Sequence, residues 1–451
     1  MNINKIKYYP DKFYLCLDGF DLQNLNTFTQ DATFSQQQAV YLHEYYHYLT
    51  NLTTIAGLRE FNVNFQDKIR IITRLSAEAG LDAYPIKDNK IGSCKDDIDY
   101  WNSVVEIINS EDINYKLAEE VENSIEKKFR ITSLDSVNEP LGCIVKDETI
   151  KGIRIRYDIN IEGLIPTDKF KLTISVIDEF LSSSIDEFMF VNNLADNCDV
   201  IRNRPFYPYG LYDEILKYYG IDIYNPLHKI LIAYCSLHSF NPVDTFVTLL
   251  TRISENKQDF MADAIGFLNK YIDPQQYGQY FLNMILYEEV FIKECESHGR
   301  KNLRDTIYLL YTKSCYAYNH IGKDFFYFVR PFMISNIQEE QGKTEFLKLF
   351  NEIKNGMDEP LILIDKQLKD SDSNTYKNHL AMLIAIYEIM DSLYENRIAR
   401  RTERNKERFS YPVETKDDDL IENMPNTCPL THTWHIALNE LGLYGEYLKL
   451  K

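Results

Sequence analysis

Two histidines four residues apart, with a glutamate directly after the first, are the residues whose chemistry can be inferred most directly. The segment reads His43-Glu44-Tyr45-Tyr46-His47. In a helix, side chains four residues apart lie on one face, so His43 and His47 would present two imidazoles to the same point. Two such nitrogens can hold a zinc ion at about 2.0 to 2.1 Å. Glu44 would lie beside the metal, where its carboxylate can take a proton from a zinc-bound water and pass it to a leaving group.

The flanking sequence predicts that this segment is a buried helix. No proline or glycine interrupts residues 35–56, and Thr33 and Ser35 are candidate N-caps. Apolar residues stand on the flanks of the histidine face, at Val40, Leu42, Tyr46 and Leu49. The alternative is that His43 and His47 are ordinary core or surface histidines of an amphipathic helix, because so short a pattern also arises by chance.

Residues 34–52 resemble the active-site helix of the HExxH zinc metallopeptidases, the zincins. The resemblance covers this helix and implies a zinc hydrolase with two histidine ligands, a third protein ligand from elsewhere and an open position for water. In the metzincin branch a glycine would follow His47 by three residues and a histidine by six, but this chain has Thr50 and Thr53 there. The resemblance is therefore to the gluzincin-like branch, which takes its third ligand from a glutamate on a later helix.

The helix best suited to supply that glutamate is predicted over residues 173–192. Glu179 is the first choice, because the small Ser182 and Ser183 would let this helix approach the metal helix closely, and Glu187 is the runner-up. The familiar gluzincin arrangement has an aspartate at the place of Ser183, where it orients one histidine. Other carboxylates could take that role, namely Asp178, Asp186 and Asp196. The alternative is that these carboxylates form a solvated acidic face.

A turn-rich passage follows that helix and contains tyrosines and arginines. Peptide hydrolysis builds negative charge on the carbonyl oxygen, and a tyrosine hydroxyl or an arginine opposite the metal could stabilise it. Tyr209 and Arg204 are the candidates by position. With 33 tyrosines in the chain, the type of residue alone identifies none of them.

The composition of the chain limits the binding partners and the cellular location that we expect. A net charge of −19 over 451 residues argues against a general affinity for nucleic acid or for anionic membranes, which need a basic surface. The N-terminus lacks an apolar signal core, and no stretch approaches the roughly 18 to 20 apolar residues that span a bilayer. Eight cysteines without a CxxC pair are expected to be reduced. We therefore expect a cytoplasmic protein.

The chain is expected to adopt an α+β fold that is predominantly helical. Residues 1–220 would form a zincin-like catalytic part with a small antiparallel sheet and an insertion at about 82–165, and residues 221–451 a large α-helical lobe. A strand beside the metal helix could bind an extended substrate by strand addition, or the hairpins could only cover the core. Strands are predicted over 7–20, 129–134, 141–146 and 150–161. Helices of the lobe are predicted over 226–238, 243–254, 259–271, 279–296 and 303–319.

Three further features are best explained as structural. Cys428, His432 and His435 have a loosely metal-like spacing but too few donors for a second site. The basic run at 397–408 is interleaved with glutamates and predicts a solvated helix. His228 and His238 lie among apolar residues and are predicted to be hydrogen-bonded core histidines.

Two functions fit these observations. The first is a zinc metallopeptidase with His43, His47 and Glu179 as ligands, Glu44 as general base and a peptide or protein substrate, of narrow specificity or regulated through a protein partner on the helical lobe. The second is a non-catalytic metal-binding or helical interaction protein. The intact Glu44 favours the first, because stability does not require a carboxylate at that position.

Overall fold

The structure is a computed structural model that describes residues 6–9, 14–17, 36–62, 66, 69, 114, 117, 130–145, 148–162, 169–195, 206–272, 274–358, 360–364 and 367–368. Helices dominate these residues and a small antiparallel sheet accompanies them, which confirms the predominantly helical α+β class. None of the helices described is long and apolar enough to cross a membrane. They are α1 (Gln36–Thr53), α2 (Ile55–Phe61), α3 (Ile174–Val191), α4 (Leu211–Tyr218), α5 (Pro226–Leu237), α6 (Pro242–Glu255), α7 (Lys257–Ala262), α8 (Ala264–Leu268), α9 (Pro274–Ser297), α10 (Lys301–Ile321) and α11 (Glu340–Met357).

The antiparallel sheet has the strand order β3-β4-β5, with β3 at Ile131–Val145, β4 at Glu148–Ile161 and β5 at Phe170–Leu172. β3 and β4 pair along their whole length, so the two strands predicted over 129–134 and 141–146 are one strand. The polar residues between them suggested a turn, but pairing with β4 continues through them without a break. β5 leads directly into α3 and so places the sheet at the start of that helix.

A second sheet joins the two ends of the described chain. β1 (Ile6–Tyr9) and β2 (Tyr14–Leu17) form an antiparallel hairpin, so the single edge strand predicted over 7–20 is wrong. β2 also pairs in parallel with β6 (Leu361–Ile364), which β7 (Gln367–Leu368) follows. The pairing of β2 with β6 brings together residues more than 340 positions apart, a proximity that local sequence patterns do not predict.

Helix α1 is buried on almost all sides, as predicted, and tyrosine hydroxyls tie it to the C-terminal half. Tyr45 donates to the carbonyl of Asp358 at 2.9 Å, and Tyr48 donates to that of Met357 at 2.8 Å. These carbonyls lie at the C-terminal end of α11, where backbone oxygens lack partners within the helix. The tyrosine hydroxyls thus attach α1 to the C-terminal end of α11.

Tyr46 anchors the same helix to the 3-10 helix at Tyr327–Met333. Its hydroxyl donates to the carbonyl of Phe328 at 2.9 Å, and its ring packs on Phe332. Phe332 also contacts Phe188 of α3. One short segment of the lobe therefore supports both helices that carry the predicted metal ligands.

Helix α3 lies within the range predicted from its apolar period, 173–192, and the two end residues of that range are its caps. Thr173 is the N-cap, and its hydroxyl accepts from the backbone N–H of Val176. Ser182 and Ser183 are buried as well, so the helix is covered on the serine side as well as on the apolar side. The helix packs against both α1 and α5. The predicted apolar stripe is fully buried, at Ile177, Phe180, Leu181, Ile185, Phe188 and Met189.

The buried apolar residues on either side of position 220 form one continuous core within the described chain. The helix predicted over 259–271 is interrupted at Asp263, whose side chain caps α8 by accepting from the backbone N–H of Gly266 at 2.8 Å.

Several predictions concern residues outside the part of the chain that the structure describes. They are those for Arg204, Asp196, the basic run at 397–408, the cluster at 428–435 and most of the region at 82–128.

Candidate metal centre

The acidic side of α3 faces the two histidines of α1. The Nε2 atoms of His43 and His47 lie 3.2 Å apart, and Oε2 of Glu179 lies 3.6 Å from the first and 3.7 Å from the second. Within the described residues, these three side chains form a group able to hold a metal ion. The structure thus brings together the two motif histidines and the glutamate that was the first choice for the third ligand.

Each histidine is held on its far side by an aspartate of α3. Asp186 accepts from Nδ1 of His43 at 2.9 Å, and Asp178 accepts from Nδ1 of His47 at 2.6 Å. An ionised carboxylate can only accept, so both rings carry a proton on Nδ1. Each Nε2 atom then faces the centre and can bind a cation in place of a proton, which is the arrangement that carboxylates behind the ligand histidines produce at zinc sites.

The order of these pairs shows that α1 and α3 run in opposite directions. The earlier histidine binds the later aspartate, and the later histidine binds the earlier one. Asp178 and Asp186 thus contact the histidines from positions other than Ser183, where the gluzincin pattern has an aspartate. Ser183 instead donates its hydroxyl to the carbonyl of Phe180 at 3.1 Å.

The three ligand atoms fit zinc by their spacing. A tetrahedral ion with bonds of about 2.0 to 2.1 Å separates its ligand atoms by roughly 3.3 to 3.4 Å. The observed separations of 3.2, 3.6 and 3.7 Å lie close to that value. In addition, Oε2 of Glu179 is buried and has no hydrogen-bond partner in the described residues, an unfavourable state that a cation at the centre would relieve.

The electrostatics of the group also suit a cation. Burial alone lowers the pKa of His43, but the carboxylates of Asp186 and Glu179 outweigh it and raise that pKa to about 10. Burial likewise lowers the pKa of His47, and Asp178 and Glu179 again raise it well above its ordinary value. Burial raises the pKa of Glu179, but the two histidines hold it below its usual range. Three carboxylates thus create a strongly negative potential around the two rings.

The remaining predicted catalytic residues lie at different distances from this group. The ring of Tyr209 meets that of His43 edge to face, with the centroids 6.2 Å apart. Tyr209 belongs to the kinked turn Phe206–Gly210 that precedes α4. Glu44 is half-buried on α1, directly after the first histidine, and has polar interactions of its own. Arg204 lies outside the described residues.

Glu187, the runner-up for the third ligand, is engaged elsewhere. Its carboxylate lies 2.9 Å from the ammonium of Lys229 on α5. The same ammonium lies 2.6 Å from Asp213 of α4, and Lys229 itself is buried. This cluster joins three helices. Of the two candidate glutamates, Glu179 is therefore the one that lies beside the Nε2 atoms of the histidines.

Sequence reasoning did not assign a role to Thr50, which the structure places beside the centre. Its hydroxyl lies 2.6 Å from Oδ1 of Asp178 and 2.9 Å from the backbone carbonyl of His47. The available signal was its spacing, because a residue three positions after His47 lies on the same helix face. In the sequence analysis, Thr50 served only to show that the glycine of the metzincin pattern is absent.

One other expectation is wrong, and one of the alternatives left open for the sheet is limited at one residue. His238 is buried, but neither of its ring nitrogens has a hydrogen-bond partner in the described residues, so it is not the hydrogen-bonded core histidine expected. Burial correspondingly lowers the pKa of His238 to about 3.

The outer edge of β5 is closed to strand addition at Lys171. The side-chain amide of Asn114 donates to the backbone carbonyl of Lys171 at 3.0 Å and accepts from the backbone N–H of Lys171 at 2.8 Å.

Comparison with known proteins gives no assignment for this centre. No family model, curated protein or solved structure matches the chain. Any function must therefore be argued from the geometry of the centre itself.

Proposed function

We propose that this protein is a zinc-dependent metallopeptidase of the gluzincin-like type. The observation that carries the proposal is the triangle formed by the two Nε2 atoms of His43 and His47 and Oε2 of Glu179, with edges of 3.2, 3.6 and 3.7 Å. Nitrogen and carboxylate donors on three corners are the ligand set of catalytic zinc sites that keep a fourth position open. Two orienting aspartates support the same proposal.

The protein's own residues would divide the work of hydrolysis. Zinc, when bound, would polarise the scissile carbonyl and lower the pKa of water to about 7. Glu44 would accept a proton from the attacking water and deliver it to the leaving amine. Tyr209, beside His43, would donate its hydroxyl to the carbonyl oxygen as negative charge develops there.

Metal analysis tests the site. Protein purified without added zinc is expected to contain close to one zinc per chain, and His43→Ala or His47→Ala is expected to abolish it. His298→Ala is a matched control, because His298 is exposed at the end of α9. A zinc content that survives either motif substitution would refute the ligand assignment.

Catalysis is a separate test. Glu44→Gln is expected to retain zinc and to lose hydrolysis by about 10²-fold to 10⁴-fold, the usual contribution of a general base. Glu60→Gln, on the neighbouring α2, is the matched control and is expected to keep full activity. Zinc binding without hydrolysis by the wild type would instead favour a non-catalytic metal-binding protein.

The substrate is proposed to be a peptide or protein that is cleaved narrowly or under control. A broadly active protease would damage the cell that makes it, and the helical lobe provides a surface for a regulatory partner. New protein termini would be compared in cells that express the wild type or Glu44→Gln. A few defined cleavage sites are expected, and broad cleavage at unrelated sequences would contradict this part of the proposal.

A further inference from the structure

We propose that Thr50 is a positioning residue that fixes the ring of His47 for metal binding by acting through Asp178. The inference rests on the proposed zinc site, and it concerns a residue outside the HExxH motif. Thr50 is buried on α1, one turn after His47. It touches neither the proposed ligand atoms nor the reacting groups, so its effect would pass through the carboxylate.

Three short polar contacts link His47, Asp178 and Thr50. Nδ1 of His47 donates to Oδ2 of Asp178 at 2.6 Å, and the hydroxyl of Thr50 lies 2.6 Å from Oδ1 of the same carboxylate. The hydroxyl also lies 2.9 Å from the backbone carbonyl of His47. The side chain of His47 is thereby linked through Asp178 of α3 to Thr50, which lies on the same helix as His47.

The hydroxyl of Thr50 has one proton and two acceptors. The bond to the carboxylate is shorter, and hydrogen bonds to an ionised acceptor are roughly twice as strong as those between neutral groups. We therefore assign the proton to Asp178. Both oxygens of Asp178 are then engaged, one by His47 and one by Thr50, so the carboxylate cannot rotate without losing a charge-assisted bond.

A competing hydroxyl explains why this restraint matters. Ser182 of α3 is fully buried, and its Oγ lies 3.4 Å from Nδ1 of His47. If Asp178 moved away, Ser182 could donate to Nδ1, and the ring proton would then have to lie on Nε2. That tautomer has no lone pair for a metal. Thr50 would thus favour the metal-binding tautomer by holding Asp178 in place.

Zinc affinity, measured by competition with a chelator, tests the inference without any use of activity. Thr50→Val removes the hydroxyl at nearly constant volume and is expected to weaken zinc binding about 10-fold to 100-fold, the usual effect of losing such an outer partner. Thr50→Ser keeps the hydroxyl and is expected to bind zinc within about 3-fold of the wild type. Thr53→Val, a buried threonine of the same helix, is the matched control.

A double variant separates positioning from simple packing. In the Thr50→Val background, Ser182→Ala removes the competing hydroxyl and is expected to restore part of the lost zinc affinity. The cobalt(II) absorption spectrum of each variant reports whether ligand geometry changes with affinity. Wild-type zinc affinity in Thr50→Val, or equal losses in Thr50→Val and Thr50→Ser, would overturn the inference. If the wild type itself binds no zinc, the proposed function fails, which is a distinguishable result.

Discussion

Glu288 offers the sharpest prediction about stability, because it is a fully buried carboxyl without a charged partner in the described residues. It lies on α9, and Oε1 accepts a weak hydrogen bond of 3.4 Å from the hydroxyl of Ser314 on α10. Oε2 has no hydrogen-bond partner there. Burial raises the pKa of Glu288 from 4.5 to about 8, although the Ser314 hydroxyl acts in the opposite direction.

The direction in which stability changes with pH depends on the pH at which Glu288 loses its proton in the folded and in the unfolded protein. The unfolded chain loses it near pH 4.5, but the folded protein keeps it up to about pH 8. Between these values the folded state binds more protons, so stability falls as pH rises. One pKa unit corresponds to about 1.36 kcal/mol, and the shift therefore amounts to a loss on the order of 5 kcal/mol across that range.

Glu288→Gln removes this titration and keeps the shape of the side chain. Urea unfolding between pH 5 and pH 8.5 would give the free energy of unfolding for the wild type and the variant. The free energy of unfolding of the variant is expected to rise relative to that of the wild type by roughly 1 kcal/mol for each unit of increasing pH. A lost hydrogen bond would change the free energy of unfolding of the variant by the same amount at every pH. Glu289→Gln, at the next and more exposed position, is the control. Parallel curves for Glu288→Gln and the wild type would refute the reasoning.

Three further substitutions and one metal experiment follow. Gly57→Ala would place a Cβ against the backbone of Thr50, so we expect a loss of more than about 2 kcal/mol in urea unfolding. Tyr48→Phe leaves the carbonyl of Met357 unpaired and is expected to cost about 1 to 3 kcal/mol in the same assay. Lys229→Met leaves two carboxylates without their shared cation. Because both carboxylates are partly exposed, we expect a loss of about 1 to 3 kcal/mol in the same assay. Chelation is expected to lower the melting temperature, and added zinc to restore it.

Local patterns predicted the two site helices well. The extent of α3 follows from its apolar period, and α1 lies within the stretch 35–56 that has no proline or glycine; both features are local in the sequence. The spacing of His43 and His47 is also local, because the α-helix alone puts them on one face. Even Glu179 could be ranked first on the size of its serine neighbours, although its carboxylate had no local distinction from that of Glu187.

Long-range pairing accounts for what was missed. The strand β6 pairs with β2 only because distant segments meet, and β3 continues through residues that resemble a turn because β4 supplies its partners. Asn114, which closes the edge of β5 at Lys171, lies in the insertion predicted at about 82–165, where the sequence predicted no contact with a strand edge. Sheet pairing and edge capping depend on neighbours in space, which a single sequence does not specify.

The sequence by itself determined the chemistry that this chain can offer: two imidazoles on one helix face, a glutamate between them and a second acidic helix. The tertiary structure decided how that chemistry is arranged. The antiparallel approach of α3 gives Asp186 to His43 and Asp178 to His47, directs Glu179 between the rings, and leaves Glu187 with Lys229. The physical reason is that spacing within one helix is fixed by its own hydrogen bonds, but the direction and rotation of two packed helices depend on the whole core.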